Sequence, residues 1–162
     1  MVSDNSELKR LYKNDQESRK KLDWNDKDQV LRLFKEDSAR TILVNEMLRE
    51  GKIKTARDLY HAAMIFQHGK TLSSYKLAVA LSKSAAELGS RDGNWLYARA
   101  LDRFLLKSGL KQKFGTQFSK ISGKWVLDPY DEKTTDEERA RYDVPSLEHQ
   151  INVRSRQLQE ER

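Results

Sequence analysis

Residues 93–109, GNWLYARALDRFLLKSG, decide the fold. Projected at 100° per residue, Tyr97, Ala98, Leu101, Phe104 and Leu105 form one apolar arc, which Trp95 and Leu106 extend. Arg99, Arg103 and Lys107 run beside it as a basic stripe. This is the pattern of an amphipathic helix. Gly109 supplies its stop, because glycine tolerates the positive φ of a C-terminal cap. One residue breaks the pattern. Asp102 falls inside the apolar arc, where a carboxylate needs a cation or several donors. Three readings stay open: a structural ion pair with an arginine or lysine, a carboxylate that orients a histidine or touches a ligand, or a boundary position exposed to solvent.

Working outward, the same periodicity recurs. A first helix is expected over about Ser6 to Lys21. Asn25 can cap a second, which carries Val30, Leu31, Leu33, Phe34, Ile42, Leu43, Met47 and Leu48, is interrupted near Asp37-Ser38 and ends near Gly51. Thr55 with Asp58 resembles a capping box and opens a third helix that ends at His68-Gly69. A fourth spans about Leu72 to Leu88 before Gly89. After the fifth helix, Phe114–Ile121 and Lys124–Leu127 can pair as a hairpin across the turn-prone Ser122-Gly123. Thr135 with Glu138 forms a second capping box for a short helix to about Tyr142, and Pro145-Ser146 opens a last, polar helix. The expected class is mainly α: a single helical domain over 1–162, of about six to seven helices, with a short β-hairpin after the fifth. Its ordered core spans about 6–150, with a fraying polar end over 151–162. No repeat consensus recurs at a fixed period, which disfavours a repeat array.

The chain has 162 residues, a net charge of +6 and no cysteine. That excludes disulfides and thiolate chemistry. No apolar run approaches the roughly 18 residues of a membrane span, and the start lacks a basic region followed by an apolar one. The expectation is a cytoplasmic protein without a membrane role. The charge is uneven. Residues 1–50 are neutral overall, residues 51–125 carry +10, and residues 126–162 carry −4. A basic middle attracts anions through its long-range field, unless the acidic tail folds back on it.

Polar groups concentrate in that basic middle: Gln67-His68-Gly69, Asp102-Arg103, and Gly115-Thr116-Gln117. His68 sits in the last turn of a helix, and Gly69 leaves space beside its ring; it reads either as a cap or packed residue or as a ligand-contacting or acid–base group. Arg57, His61, Met64 and His68 share one helical stripe. Gln112, Thr116 and Gln117 offer amides and a hydroxyl, which donate and accept at once; they suit a peptide, sugar or base edge, or equally a turn held by side-chain-to-backbone hydrogen bonds. Asp15 and Arg19 form an i, i+4 pair that reads as a solvated face. His61 and His68 stand seven apart, too far along a helix for one tetrahedral site, and no HExxH occurs, so no metal or other cofactor is expected. No GxSxG, GxGxxG or GxxxxGKS pattern is present, which disfavours a serine-hydrolase elbow and the familiar nucleotide loops.

The strings DLYHAAMIFQHG, ALDRFLLKSGLKQKFGTQF and TTDEERARYDVPSL resemble a family of uncharacterised, mainly bacterial proteins. That family shares DQxxR, QH, DR and GxxQxxGTQ segments and a late acidic-arginine stretch before a proline. The matching residues are Asp15, Gln16 and Arg19; Gln67 and His68; Asp102 and Arg103; Gln112, Gly115, Thr116 and Gln117; and Arg139 or Arg141. The resemblance covers roughly residues 12 to 147. Family members often carry a Gly-Trp-Pro turn after the second helix, where this chain has Gly51-Lys52-Ile53. It implies a shared helical domain and a shared polar site, without an activity.

Three functions follow as expectations. The first is a pocket for a small polar or anionic ligand or peptide. In it His68 acts as acid–base, Asp102 orients it, and Gln67, Arg103, Gln112, Thr116, Gln117, Asp15 and Arg19 bind. The second is an interaction module that recruits an acidic protein partner through its basic surface. Nucleic-acid binding is the least supported, since a basic balance alone is a weak sign.

Overall fold

The computed structural model describes residues 2–161 and is mainly α, with one two-stranded antiparallel hairpin after the fifth helix. Five long helices form the body: α1 (Ser6–Lys20), α2 (Lys27–Arg49), α3 (Ala56–Gln67), α4 (Leu72–Glu87) and α5 (Arg91–Lys107). The hairpin, β1 (Phe118–Ile121) and β2 (Lys124–Leu127), follows. Then come α6 (Asp136–Ala140) and a terminal helical segment. The latter consists of α7 (Leu147–His149), a π-helical turn over Gln150–Arg154, and α8 (Ser155–Glu160). No described helix is long and apolar enough to cross a membrane.

Local chemistry explains the boundaries. Thr55 and Thr135 each close a reciprocal capping box, with Asp58 and Glu138 respectively. The second helix is capped by Asp26 rather than Asn25, because the Asp26 carboxylate accepts from the amides of Asp28 and Gln29. It also runs unbroken through Asp37-Ser38. Asp37 faces inward there and finds two arginines, so its polarity marks a buried ion pair and not a break. The hairpin turns on Ser122 and Gly123, both at positive φ (50° and 80°), as a two-residue primed turn requires. Pairing begins only at Phe118. Residues 114–117, expected in the first strand, are instead held by side chains of α5 and of the loop itself.

The main core joins Leu8 and Leu11 of α1, Val44 and Met47 of α2, Ala62, Ile65 and Phe66 of α3, Leu81 of α4, and Leu96 and Ala100 of α5. A smaller cluster of Ala98, Phe114 and Val144, with Tyr97, Leu101 and Tyr142, lies on the other side of α5. That helix is therefore buried on two faces. One meets α3 and α4; the other, which includes Asp102, meets the loop before the hairpin. Close approach of α4 and α5 depends on Gly93, where a Cβ would stand 2.8 Å from the Ala86 amide nitrogen. Where the sequence predicts a fraying end, Leu158 of α8 is buried, and Gln159 donates from its side chain to the Trp125 carbonyl.

Candidate functional site

The geometry divides the polar residues into two groups. One group holds the fold. Asp102, fully buried, accepts hydrogen bonds from the amides of Lys113 (2.7 Å), Phe114 (2.8 Å) and Thr116 (2.9 Å) and from the Thr116 hydroxyl (2.8 Å). Burial pushes its carboxyl up from the ordinary range, and these four donors pull the other way. Gln112, also fully buried, donates to the carbonyls of Gln117 and Asp128 and accepts from the Gln117 amide. Arg139, which is 1% exposed, donates to the carbonyls of Phe114 and Thr134. Together they fasten the 112–117 loop to α5 and α6. Gly115 completes the loop with φ 82°, the left-handed region that glycine enters without cost.

The other group converges around His68. The carboxylate that orients this ring is Asp15, not Asp102. His68 Nδ1 lies 3.0 Å from each Asp15 oxygen. All the acceptor capacity of Asp102 is taken up by the loop, and α1 brings Asp15 to the end of α3 instead. Asp15 is fully buried, so the solvated-face reading of Asp15 and Arg19 gives way to an inward one. Arg19 bridges two carboxylates: its Nη1 donates to Asp15 (2.9 Å) and its Nη2 to both oxygens of Asp37 (2.9 and 2.8 Å). Arg40 donates to Asp37 at 2.8 Å, and its Nε lies 3.7 Å from Asp15. Asp37, Arg40, Lys70 and the aromatic residues below were not singled out as site residues from sequence. The one signal was the polar Asp37 within an apolar helical pattern, which reads equally as an interruption.

His68, Arg19, Gln67, Lys70 and Arg103 line a cavity of about 470 Å³ whose apolar wall includes Trp24, Leu33, Phe34 and Tyr75. No carboxylate lines it. The two buried aspartates behind the wall neutralise Arg19 and Arg40. Lys70 and Arg103 form no ion pair among the described residues. Lys70 lies 3.3 Å over the Phe34 ring. Arg103 donates to neutral oxygens alone, the Gln67 carbonyl (3.1 Å) and Gln117 Oε1 (3.2 and 3.3 Å). Gln67 is buried with its Oε1 unpartnered. Lys70 is held at φ 61°, an unfavourable backbone state for a side-chain-bearing residue. Such strain tends to persist at ligand sites. Gln112, Thr116 and Gln117 do not reach this cavity; Thr116 and Gln117 line a second one on the far side of Arg103.

The electrostatics define the state of the dyad. Burial drives the His68 pKa below its ordinary value despite the Asp15 hydrogen bond. Burial also works to raise Asp15, but the His68 hydrogen bond and charge, with Arg19, outweigh it and hold the carboxyl below its usual range. Near neutral pH the ring is thus neutral, with the Nδ1 proton donated to Asp15 and Nε2 free to accept. Both shifts make the unfolded chain the better proton binder on acidification. The folded protein is therefore expected to lose stability as pH falls from 7 past the unfolded histidine value near 6.5, and again through the carboxylate range. Urea denaturation at stepped pH checks this. The His68→Gln variant should show a shallower loss over the upper part of the range, and an unchanged slope would contradict the assignment.

No described cluster of His, Asp and Glu could hold a metal ion. No protein-family model, curated protein or solved structure matches the chain.

Proposed function

We infer that the cavity beside His68 binds a small anionic ligand with an apolar or aromatic body, and that the Asp15–His68 pair acts on it by acid–base chemistry. The observation that carries this reading is a histidine oriented by a buried carboxylate in the wall of a cavity with three cations and no lining carboxylate. Lys70 and Arg103 form no ion pair among the described residues, with Asp37 acting on Lys70 only through its longer-range field, so an anion would meet them without displacing an ion pair. The apolar wall of Trp24, Phe34 and Tyr75 would take the ligand's body. With Nδ1 committed to Asp15, Nε2 is the atom that would accept a proton from a bound group or from water beside it. This fits hydrolysis or transfer on a small molecule or peptide end. The cavity supports a pocket over a closed polar core serving an interaction module. A cytoplasmic setting suits a chain without cysteine.

Phenyl phosphate, titrated while the His68 ring is followed by NMR, tests the reading. Saturable shifts of the His68 signals are expected, with its pKa rising as the anion binds. Lys70→Gln should weaken binding about tenfold, the loss of one partly desolvated charge contact. A His68 ring that ignores the titrant, or affinity indifferent to Lys70→Gln, would sink it.

A further inference from the structure

We propose that the second cavity, on the opposite side of Arg103, is an anion site in its own right, one that takes a compact polyanion of the phosphate class. It encloses about 420 Å³ between α5, the hairpin and the terminal helical segment. Arg99, Arg103, Arg154 and His149 line it, and no carboxylate does. Their charge is poorly compensated. Arg99 lies 4.4 Å over the Trp95 ring and forms no ion pair among the described residues. Arg103 reaches this side through the neutral Gln117. Arg154 alone among them has a carboxylate, the exposed Glu161 at 3.1 Å. Burial, together with Arg103 and Arg154, brings the Arg99 pKa down to about 10 against the opposing pull of Asp102.

A backbone irregularity builds the same wall. His149 and Arg154 are five residues apart, which on an α-helix would turn them about 140° from each other. The wider π-helical turn over Gln150–Arg154 brings both onto the cavity, together with Gln150 and, further on, Leu158. Such turns inside helices recur at functional sites. Guanidinium forks match the oxygens of phosphate, and several facing one space favour a ligand with more than one negative charge. Trp95 and Phe118 leave an apolar wall for a substituent.

Inorganic pyrophosphate is the probe, with the His149 and His68 rings followed separately by NMR in the full chain. Pyrophosphate should shift His149 saturably. Arg154→Gln should weaken that titration about tenfold, and Arg99→Lys, which keeps the charge but removes the fork, should weaken it as well. Lys70→Gln should leave it unchanged, which separates this site from the one beside His68. Thermal melts establish that each variant is folded; Arg99→Lys serves if Arg154→Gln is not. No shift at His149, a shift indifferent to both arginine variants, or tighter binding of a random single-stranded oligonucleotide than of pyrophosphate would overturn the proposal.

Discussion

Asp102→Ala is expected to cost the protein roughly 3–5 kcal/mol, because it strips the partner from several buried donors at about 1–3 kcal/mol each, less whatever the loop recovers by moving. Three backbone amides and one hydroxyl, from Lys113, Phe114 and Thr116, converge on this carboxylate. None donates a second hydrogen bond among the described residues, and water would have to enter between α5 and the loop to serve the buried ones. For a chain of this length the loss corresponds to a melting-point drop of about 6–20 °C. Asp102→Asn should also destabilise. Its amide nitrogen can replace one oxygen in shape but cannot accept, so it sets donor against donor. Urea denaturation and thermal melts measure both. An Asp102→Ala protein melting within about 2 °C of the parent would show that the loop holds itself. The folded fraction of Asp102→Asn should still show the His68 signal shifted by phenyl phosphate, since Asp102 stands apart from that cavity.

A second large effect is expected at Asp37. This carboxylate, 2% exposed, receives Arg19 through two bonds and Arg40 through a third. Asp37→Ala leaves two guanidinium groups sharing Asp15, with only the exposed Glu36 at 3.5 Å as a further partner for Arg40, and one-sided removal from a buried pair costs about 3–5 kcal/mol. Arg40→Ala alone should cost less, since Arg19 still satisfies Asp37. The discriminating measurement is the double variant Asp37→Ala with Arg40→Ala. Its loss should fall short of the summed single losses by at least about 1 kcal/mol, because the second change removes the charge that the first left unpaired. Strict additivity would mean that the two residues act independently. Phenyl phosphate binding should weaken in Asp37→Ala as well, because Arg19, which lines the cavity, loses the two bonds that fix its guanidinium.

The helical frame was legible because it is written locally. Periodicity over a dozen or more residues, two capping boxes and glycine stops each act within a few positions of the feature they announce. The errors are equally local: Asp26 does the capping one residue after Asn25, and Asp37 interrupts the pattern of α2 without interrupting the helix. The site was legible only as an inventory of residues. His68 and Asp15 are 53 positions apart, and Arg103 reaches Gln67 across 36. No periodicity encodes which of two aspartates meets a histidine. Asp102 looked like the partner because it lies in an apolar arc. That arc in fact reflects burial against a loop, a second packing face that a one-sided projection of α5 cannot resolve. Lys70 was not legible as a site residue because its seat over Phe34 arises only once α2 lies beside the end of α3.

The cavity beside His68 draws Arg19 from α1, Phe34 from α2, Gln67 from α3, Tyr75 from α4 and Arg103 from α5. No contiguous fragment contains it, and no partly assembled set of helices would present it. Occupancy and cooperative folding are therefore two readings of a single equilibrium. A compound bound there and present at a hundred times its Kd would hold the native chain more tightly by about 2.7 kcal/mol, so the stability of the bundle would itself report the binding.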